Sequence, residues 1–517
     1  MTDIIGNETL RSLWDGLAVA RGDKTFLIFQ SRQGAVCEFT YRQFDDEINK
    51  TANLFLELGI EKGEKIAVQL HTSPEFIMCL FGLAKIGAVM VPMNEQYLQE
   101  ECEYVLDKCG VTTAIIEPDF IELYQKIQAH DGFLPKGLLL ARSQGDCGNI
   151  QDFEALRQDQ PIVLRDIRPL CAEDDAEIIF TSGTTSRPKG VVITHCNVLY
   201  AGVYGVWELT LTAQDRLLTT MPACHSNFQL AAMAPIVCAG ATLIVIEKYS
   251  AKRFWRQVCD YRATVTQCVA MMVRTLLMQP AAAWEKQHCM RTVLYFMPIA
   301  AEEKESFESR FSTKIMNTYG STESLVWVLT DPPSGARKWP SVGRVGLSCE
   351  VKIVDDKGCE VEPDVIGEIV VRGVAGRTIM KGYYRDPEET TRAITTKGWM
   401  HTGDKGYVDA QGWFYFVDRK VNMIKRSGEN ISTTELENVL ATHPKIAEAV
   451  VIGVADSLRD QAVKAFVLPA PGEAISPREV LEYCAEHVAA FKVPSFVEVV
   501  DEFPRTCSMK VEKKLLK

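Results

Sequence analysis

Residues 178–190 of the chain read IIFTSGTTSRPKG, and in this stretch an apolar run is followed at once by a polar loop. The apolar run is typical of a buried strand. The loop carries five hydroxyls, two glycines and one lysine in ten residues. Backbone N–H groups at glycines can approach an anion closely, and hydroxyls add donors that carry no charge. The stretch therefore predicts a strand leading into a phosphate-binding loop, with these contact residues: Thr181, Ser182, Gly183, Thr184, Thr185 and Lys189.

This loop differs from two common nucleotide-binding motifs. A Walker A loop needs G-x-x-x-x-G-K-[ST], but counted from Gly183 the second glycine is replaced by Pro188, and Gly190 follows the lysine. The loop also lacks the G-x-G-x-x-G start of a dinucleotide-binding helix. A P-loop kinase or ATPase and a dinucleotide-binding fold are therefore disfavoured. For any single residue of the loop, an ordinary polar surface position is the alternative.

The first half of the chain alternates between helix and strand patterns. A helix pattern follows Thr40, which forms a capping box with Gln43, and it ends at Gly59. A second helix pattern follows Ser73, with proline at its first position, and ends at Gly87. Strand patterns lie at residues 66–70, 88–91 and 113–116. This βαβα rhythm predicts parallel or mostly parallel sheets that are covered by helices.

The pattern changes twice in the second half of the chain. Short strand patterns joined by turns predict a β-rich subdomain over about residues 345–418. After residue 418, helix and strand patterns alternate again over a length that suffices for a small α+β domain. We therefore predict an α/β and α+β protein. A large N-terminal body with βαβ-type sheets spans residues 1–418, and a small C-terminal lid domain spans residues 419–517.

Composition narrows the class of protein. The chain has 517 residues, of which 47 % are hydrophobic and 24 % charged, and these globular values exclude a disordered, collagen-like or coiled-coil chain. Its 56 basic and 68 acidic residues give a net charge of −12. A net-acidic chain is a poor candidate for binding nucleic acid through its overall charge.

The sequence also favours a cytoplasmic protein. The 16 cysteines include no C-x-x-C pair, and residues 1–7 lack the basic region of a secretory leader. The longest uncharged apolar stretch, residues 230–246, is shorter than the ~20 residues of a membrane span and contains Pro235 and Gly240. We expect this stretch to form a core helix that runs into a buried strand, and we expect the cysteines to be reduced thiols.

Further motifs follow the phosphate loop along the chain. They are residues 317–323 (NTYGSTE), 398–404 (GWMHTGD), 418–420 (DRK) and 504–510 (PRTCSMK). Together with the loop they resemble the acyl-adenylate-forming superfamily, which includes acyl-CoA synthetases, luciferases and peptide-synthetase adenylation domains. The resemblance extends from residue 40 to residue 517. It implies an enzyme that makes an acyl-AMP from a carboxylate and ATP and then transfers the acyl group to CoA.

The resemblance also implies roles for individual residues at the nucleotide. Glu323 is expected to hold Mg²⁺, and Thr322 is expected to hydrogen-bond the α-phosphate or the acyl carbonyl. Tyr319 is expected to pack on adenine. Asp404 and Arg419 are expected to bind the ribose hydroxyls. The remaining expected nucleotide contact is Asn317.

The C-terminal lysine Lys510 would by itself be a solvated residue of a basic tail. By resemblance it bridges the acyl carboxylate and the α-phosphate in the transition state of adenylation. The resemblance also implies a mobile lid that rotates after adenylation and presents Lys425 and Gly428 to CoA. His225 is expected to gate the acyl pocket or the CoA tunnel, although a structural histidine is nearly as well supported.

The acid is the least determined part of the prediction. The chain is most similar to the betaine-activating CoA ligases of the superfamily, which implies carnitine, crotonobetaine or gamma-butyrobetaine as substrate. Aromatic residues such as Trp327 suit a trimethylammonium group through cation–π attraction, but they suit a plain hydrophobic acid equally well. The alternatives are a CoA ligase for another short- or medium-chain acid, an enzyme that passes acyl-AMP to a non-CoA acceptor, and a non-catalytic nucleotide sensor. The sequence predicts no oligomeric state.

Overall fold

The computed structural model describes residues 3–129, 133–134, 136–143, 145, 149–181, 188–296, 299–347, 349–419, 424–426, 429–456, 460–488, 492–506 and 510–516. Its helices are α1 (Leu10–Arg21), α2 (Tyr41–Glu57), α3 (Pro74–Ile86), α4 (Gln99–Cys109), α5 (Ile121–Gln128), α6 (Phe153–Gln158), α7 (His195–Glu208), α8 (Ser226–Phe228), α9 (Ala234–Ala239), α10 (Ala251–Asp260), α11 (Ala270–Leu277), α12 (Ala301–Phe311), α13 (Pro387–Ala393), α14 (Thr433–Ala441) and α15 (Pro477–His487).

The strands of the N-terminal part are β1 (Thr25–Gln30), β2 (Val36–Thr40), β3 (Lys65–Gln69), β4 (Val89–Pro92), β5 (Thr113–Ile116), β6 (Gly137–Leu140), β7 (Gln151–Asp152), β8 (Asp175–Thr181), β9 (Lys189–Thr194), β10 (Arg216–Thr219), β11 (Thr242–Ile246), β12 (Val265–Val269), β13 (Thr292–Phe296), β14 (Ile315–Tyr319), β15 (Leu329–Thr330) and β16 (Arg344–Val345). Those that follow are β17 (Glu350–Val354), β18 (Gly367–Arg372), β19 (Gly382–Tyr383), β20 (Trp399–Val408), β21 (Phe414–Arg419), β22 (Ile424–Arg426), β23 (Glu429–Ile431), β24 (Ile446–Asp456), β25 (Asp460–Pro469) and β26 (Phe496–Val499).

Two large sheets form the centre of the body. One has the order β16-β15-β14-β13-β12-β10-β11-β1-β2, and the other has the order β19-β9-β8-β4-β3-β5-β6-β7. The first sheet is parallel from β14 through β1, and the second is parallel from β8 through β7. Antiparallel strands lie only at their ends among the described residues. The predicted, mostly parallel α/β architecture is confirmed.

The helix boundaries follow the local signals in the sequence. The Thr40 hydroxyl accepts from the Gln43 N–H and the Gln43 side chain accepts from the Thr40 N–H, so the predicted capping box starts α2. Ser73 caps α3, and Gly87 ends it in the left-handed conformation with φ 76°. Helix α3 is buried along almost its whole length in the core between the sheets, which explains why it is apolar on all sides.

The chain after residue 345 forms two further sheets. A four-stranded antiparallel sheet has the order β17-β18-β20-β21 and makes the predicted β-rich part. The C-terminal region has a mixed sheet of order β23-β22-β25-β24, with β26 parallel to β25, and α14 and α15 pack on its core. This α+β pattern is also confirmed.

The β-rich sheet is tied to the C-terminal region by a buried carboxylate. Asp418, near the end of β21, accepts hydrogen bonds from Ser432 Oγ (3.3 Å), Thr433 Oγ1 (3.0 Å) and the backbone N–H of Thr434 (3.2 Å). These donors form the N-terminal turn of α14, where a negative charge is favourable. Residue 418 is the predicted boundary between body and lid, and that boundary stays a prediction.

The apolar stretch at residues 230–246 folds as predicted, with one addition. A π-helical turn, Gln229–Met233, precedes α9, and the chain then enters the buried strand β11. Across the described part of the chain, no helix combines the length and apolarity that a membrane crossing requires. The fourteen cysteines that lie in the described part are free thiols.

The core of the body contains a buried acidic side chain. Glu177, on β8, is fully buried and has no basic side chain as an ion-pair partner within the described residues. Burial raises the pKa of this carboxyl from 4.5 to about 8, an effect that the Gln229 side chain partly opposes. Glu177 is therefore mostly protonated in the folded protein near neutral pH.

Replacing Glu177 by glutamine is expected to change how stability depends on pH. The folded protein keeps the Glu177 proton up to about pH 8, whereas the unfolded chain releases it near pH 4.5. The free energy of unfolding therefore falls as the pH rises from about 4.5 to about 8. Above about pH 8 the stabilisation from the Glu177 proton is fully lost. Glutamine is neutral throughout this range. We therefore expect the free energy of unfolding of Glu177→Gln, relative to that of the wild type, to rise by about 3 kcal/mol from pH ~5 to pH ~8. Equilibrium urea unfolding of both proteins at both pH values measures this change. If the free energies of unfolding of the variant and the wild type differ by the same amount at the two pH values, the prediction is wrong.

Candidate active site

The turn after β14 carries the first group of predicted site residues. Gly320 follows β14, and a Cβ atom there would lie 2.4 Å from the backbone of Val326, so only glycine fits. Leu325 and Val326 have φ angles of 60° and 63°, a left-handed conformation that is costly for non-glycine residues and above all for β-branched valine. The chain thus folds back tightly and presents Thr322 and Glu323 at the tip of the turn.

The Glu323 carboxylate lies where several segments meet. Its Oε1 atom accepts hydrogen bonds from the Tyr383 hydroxyl (3.1 Å) and the Thr181 hydroxyl (3.5 Å). Thr181 is the last residue of β8, where the predicted phosphate loop begins. Two residues that are 142 positions apart in the sequence, and that were both predicted to contact the nucleotide or its metal, are thereby brought together. Burial and the Glu323 charge raise the pKa of Tyr383, so its hydroxyl acts as the donor.

Lys189 begins β9 and carries the positive charge of this region. Its ammonium pairs with the carboxylate of Glu389 on α13 and lies 5.1 Å from the centre of the Tyr383 ring. The lysine holds the pKa of Glu389 below its ordinary value, and Glu389 also pairs with Arg392. Sequence reasoning placed Lys189 at phosphate, but it missed both Tyr383 and Glu389. Neither belongs to a motif that stands out by residue type or spacing.

Residues 380–389, here named the strap, connect the two halves of the site. The strap strand β19 pairs antiparallel with β9, and the N–H of Tyr384 donates to the carbonyl of Gly190 (2.7 Å). The N–H of Met380 donates to the carbonyl of Glu323 (2.9 Å). The strap therefore fixes the strand that carries Lys189 relative to the turn that carries Glu323.

The predicted acyl-side residues Thr322 and His225 lie near each other. The Thr322 hydroxyl is 2.9 Å from the hydroxyl of Ser226, the residue after His225. His225 precedes α8 as its N-cap residue, and its carbonyl accepts from the N–H groups of Phe228 and Gln229. Ser226 was missed because a single serine at a helix start is usually only a cap.

The predicted adenosine-binding residues also come together. The Tyr319 hydroxyl donates to Oδ2 of Asp404 at 2.7 Å, and Asp404 is buried and faces Arg419 across the β20–β21 pair. Asn317 is buried, and its side-chain amide donates to the carbonyl of Ser341 (2.9 Å). In this structure Asn317 thus holds neighbouring chain segments together, and its nucleotide contact stays a prediction.

Lys510 is exposed near the C-terminus. The Thr506 N–H donates to the Lys510 carbonyl (2.8 Å), and the Lys510 N–H donates to the Thr506 hydroxyl (3.2 Å). Arg505, beside Thr506, pairs with Glu448. The predicted residues Ser182, Gly183, Thr184, Thr185 and Gly428 lie outside the described residues, as do the side chains of Arg419 and Lys425.

The aromatic residues near the turn form a stack. Trp327 is fully buried, donates from Nε1 to the carbonyl of Leu230 (3.1 Å) and stacks on Tyr204 at 5.7 Å between ring centres. The Phe296 ring centre lies 6.5 Å from that of the same indole. Trp207 is 39 % exposed, and it packs edge-on against the ring of Tyr204. One face of Trp327 is therefore already covered by Tyr204, a residue that the sequence did not single out.

Comparison with known proteins identifies the family. The AMP-binding enzyme profile matches residues 16–384, and the profile of the AMP-binding enzyme C-terminal domain matches residues 435–510. The chain belongs to the AMP-binding enzyme family. Among AMP-binding enzymes, it is 47 % identical over 516 residues to a crotonobetaine/carnitine–CoA ligase of Citrobacter koseri, with 100 % of both chains covered. It is equally similar to the enzyme of that name from Salmonella paratyphi B. The predicted resemblance is confirmed.

Solved structures of other proteins share the fold over nearly the whole chain. The anthranilate–CoA ligase AuaEII, in complex with anthranoyl-AMP, matches with a TM-score of 0.88 at 25 % identity and covers 98 % of this chain and 96 % of its own. The ATP-bound MatB of Rhodopseudomonas palustris matches with a TM-score of 0.87 at 24 % identity, and the match covers 98 % of each chain. The large body with a small C-terminal unit is thus the fold of this family.

The residues present fit the Mg²⁺ and ATP that AMP-binding enzymes use. Both described donors to Glu323 reach Oε1, and within the described residues no donor reaches Oε2. A carboxylate oxygen left open in this way suits Mg²⁺, which takes one or two carboxylates and completes its shell with phosphate oxygens and water. The Lys189 ammonium and the Thr181 hydroxyl add phosphate-binding groups around the same carboxylate.

Proposed function

We propose that the chain is an ATP-dependent, AMP-forming acid–CoA ligase whose acid is a betaine: carnitine, crotonobetaine or gamma-butyrobetaine. The observation that carries this proposal is the 47 % identity, over the full length of both chains, to enzymes named crotonobetaine/carnitine–CoA ligase. The hydrogen bond between Thr181 and Glu323 supports it, because it joins the start of the predicted phosphate loop to the predicted Mg²⁺ ligand. The Lys189 ammonium lies against the ring of Tyr383, whose hydroxyl binds the same carboxylate, so a positive charge is held nearby. We also propose that the reaction takes place in the cytoplasm.

In the proposed first half-reaction, a carboxylate oxygen of the acid attacks the α-phosphorus of ATP. The bond from that phosphorus to the bridging oxygen breaks, and pyrophosphate leaves with its electron pair. Glu323 would hold Mg²⁺, which supplies positive charge to the phosphate oxygens. Lys189 neutralises the leaving pyrophosphate, and Lys510 supplies positive charge between the acyl carboxylate and the α-phosphate. Tyr319 and Asp404 hold the adenosine.

In the proposed second half-reaction, the thiol of CoA attacks the acyl carbonyl carbon. The bond from that carbon to the AMP oxygen breaks, and AMP leaves while the thiol proton is lost. We propose that the lid, residues 419–517, rotates between the two steps, withdraws Lys510 and brings Lys425 and Gly428 to CoA. Asp418 supports a pivot here, because its three hydrogen bonds attach the end of β21 to α14.

We further propose that Trp327 contacts the trimethylammonium group of the acid. Exchanging Trp327 for leucine removes the indole face, and we expect the KM for carnitine to rise about tenfold while the KM for ATP stays unchanged. Trp207→Leu is the matched control, because Trp207 packs on the same Tyr204 from an exposed position. Steady-state kinetics with carnitine and with butyrate measure the effect. An unchanged KM for carnitine, or an equal rise for butyrate, would show that Trp327 does not bind the cation.

The proposed function is tested by AMP formation with carnitine, crotonobetaine, butyrate and octanoate, each with and without CoA. We expect turnover with the two betaines only when CoA is present. Turnover of butyrate or octanoate, with no turnover of either betaine, would indicate a ligase for another acid. Turnover without CoA would indicate another acyl acceptor, and no turnover of any acid would overturn the assignment as an enzyme.

A further inference from the structure

We propose that Tyr383 is a positioning residue for both charged groups of the phosphate site: its hydroxyl orients the Glu323 carboxylate, and its ring holds the Lys189 ammonium. The inference rests on the proposed function, because it takes Glu323 as the Mg²⁺ ligand. No family motif used above contains Tyr383. The residue connects two groups that come from different sheets.

The backbone fixes Tyr383 from both sides. On one side, β19 pairs with β9 in a register that places Tyr383 opposite Val191, two residues after Lys189. On the other side, the Met380 N–H donates to the Glu323 carbonyl. The backbone that carries Tyr383 is therefore attached both to the strand of Lys189 and to the turn of Glu323.

The hydroxyl determines which carboxylate oxygen is open to the metal. Tyr383 donates to Oε1 of Glu323 at 3.1 Å, and this is the same oxygen that Thr181 approaches at 3.5 Å. With Oε1 engaged, Oε2 is left to face a cation. Hydrogen-bond partners of a metal ligand commonly change metal affinity about 10- to 100-fold when they are removed.

The ring acts on the other charged group. The Lys189 ammonium lies 5.1 Å from the centre of the Tyr383 ring, within the range of cation–π attraction. Its other partner is the Glu389 carboxylate on the strap. The ring attracts the ammonium without neutralising its charge and so holds Lys189 at the start of β9. An anion that binds there would compete with Glu389 for the ammonium.

The test compares Tyr383→Phe, which removes only the hydroxyl, with Tyr383→Leu, which also removes the ring. Calorimetry measures the affinity of each variant for ATP with Mg²⁺ and for ATP with EDTA. Mg²⁺ should raise the affinity of the wild type for ATP, and we expect this increase to be about tenfold smaller in Tyr383→Phe. The affinity for ATP without metal should be unchanged. We expect Tyr383→Leu also to weaken metal-free ATP binding.

Two controls make the test specific. Tyr384→Phe changes the neighbouring tyrosine, whose ring lies beside Lys65 and Arg385, and should behave as the wild type in both measurements. In a Glu323→Gln background, Tyr383→Phe should have no further effect on the Mg²⁺ gain, because it acts through Glu323. A normal Mg²⁺ gain in Tyr383→Phe, or an equal loss with and without metal, would overturn this inference alone. A wild-type chain that binds no ATP would overturn the proposed function and this inference with it.

Discussion

Replacing Lys510 by alanine is expected to abolish adenylate formation and to spare the second half-reaction. In the proposed scheme Lys510 supplies preorganised positive charge where the acyl carboxylate meets the α-phosphate, and loss of such a group typically costs about a hundredfold or more in rate. In the same scheme, CoA attack on a supplied acyl-AMP does not use this lysine. Lys510 is exposed and its described hydrogen bonds with Thr506 use its backbone, so the substitution should leave the fold intact.

The two half-reactions are measured separately. Pyrophosphate release from ATP and carnitine reports adenylation, and thioester formation from synthetic carnitinyl-AMP and CoA reports transfer. Lys514→Ala is the matched control, because Lys514 is an exposed lysine of the same basic tail. Equal losses in both half-reactions would refute the scheme in which the lid changes position between the two steps.

Changing Glu323 to glutamine is the second substitution with a large expected effect. Glutamine keeps the shape of the side chain, so the Tyr383 and Thr181 hydroxyls can still donate to its amide oxygen. It lacks the negative charge with which a carboxylate attracts Mg²⁺. We expect adenylation to fall by about a hundredfold or more at physiological Mg²⁺ and to recover partly as Mg²⁺ is raised.

A Mg²⁺ titration of pyrophosphate release measures this effect. Glu388→Gln provides the control, since Glu388 is an exposed carboxylate on α13. A wild-type dependence on Mg²⁺ in the Glu323→Gln variant would show that another group holds the metal.

Local signals in the sequence determine much of the fold. The capping box at Thr40 and the left-handed Gly87 set helix boundaries that the structure reproduces, because each depends on interactions within a few residues. Apolar runs such as residues 178–180 identify buried strands for the same reason. The order of strands in the two sheets, in contrast, depends on pairings between distant segments and was predicted only as mostly parallel.

The candidate site was predicted in part. The motifs place Thr181 and Glu323 at one site, and the structure joins them by a hydrogen bond. The strap residue Tyr383 could not be predicted, because its contacts with Glu323 and Lys189 arise from sheet pairing and leave no periodic signal. Likewise, the left-handed conformation of Val326 contradicts its local preference and is imposed by the tight turn.

The most direct measurement of the proposed activity compares two acids in the presence of ATP and CoA. One is crotonobetaine, and the other is its neutral analogue, in which a carbon atom replaces the quaternary nitrogen. Formation of each CoA thioester, followed together with AMP, gives kcat/KM for both. A betaine ligase should prefer crotonobetaine by about tenfold or more, since only the cation adds cation–π attraction to the packing that both acids make with aromatic faces. Equal or greater kcat/KM for the neutral acid would contradict a betaine-specific ligase.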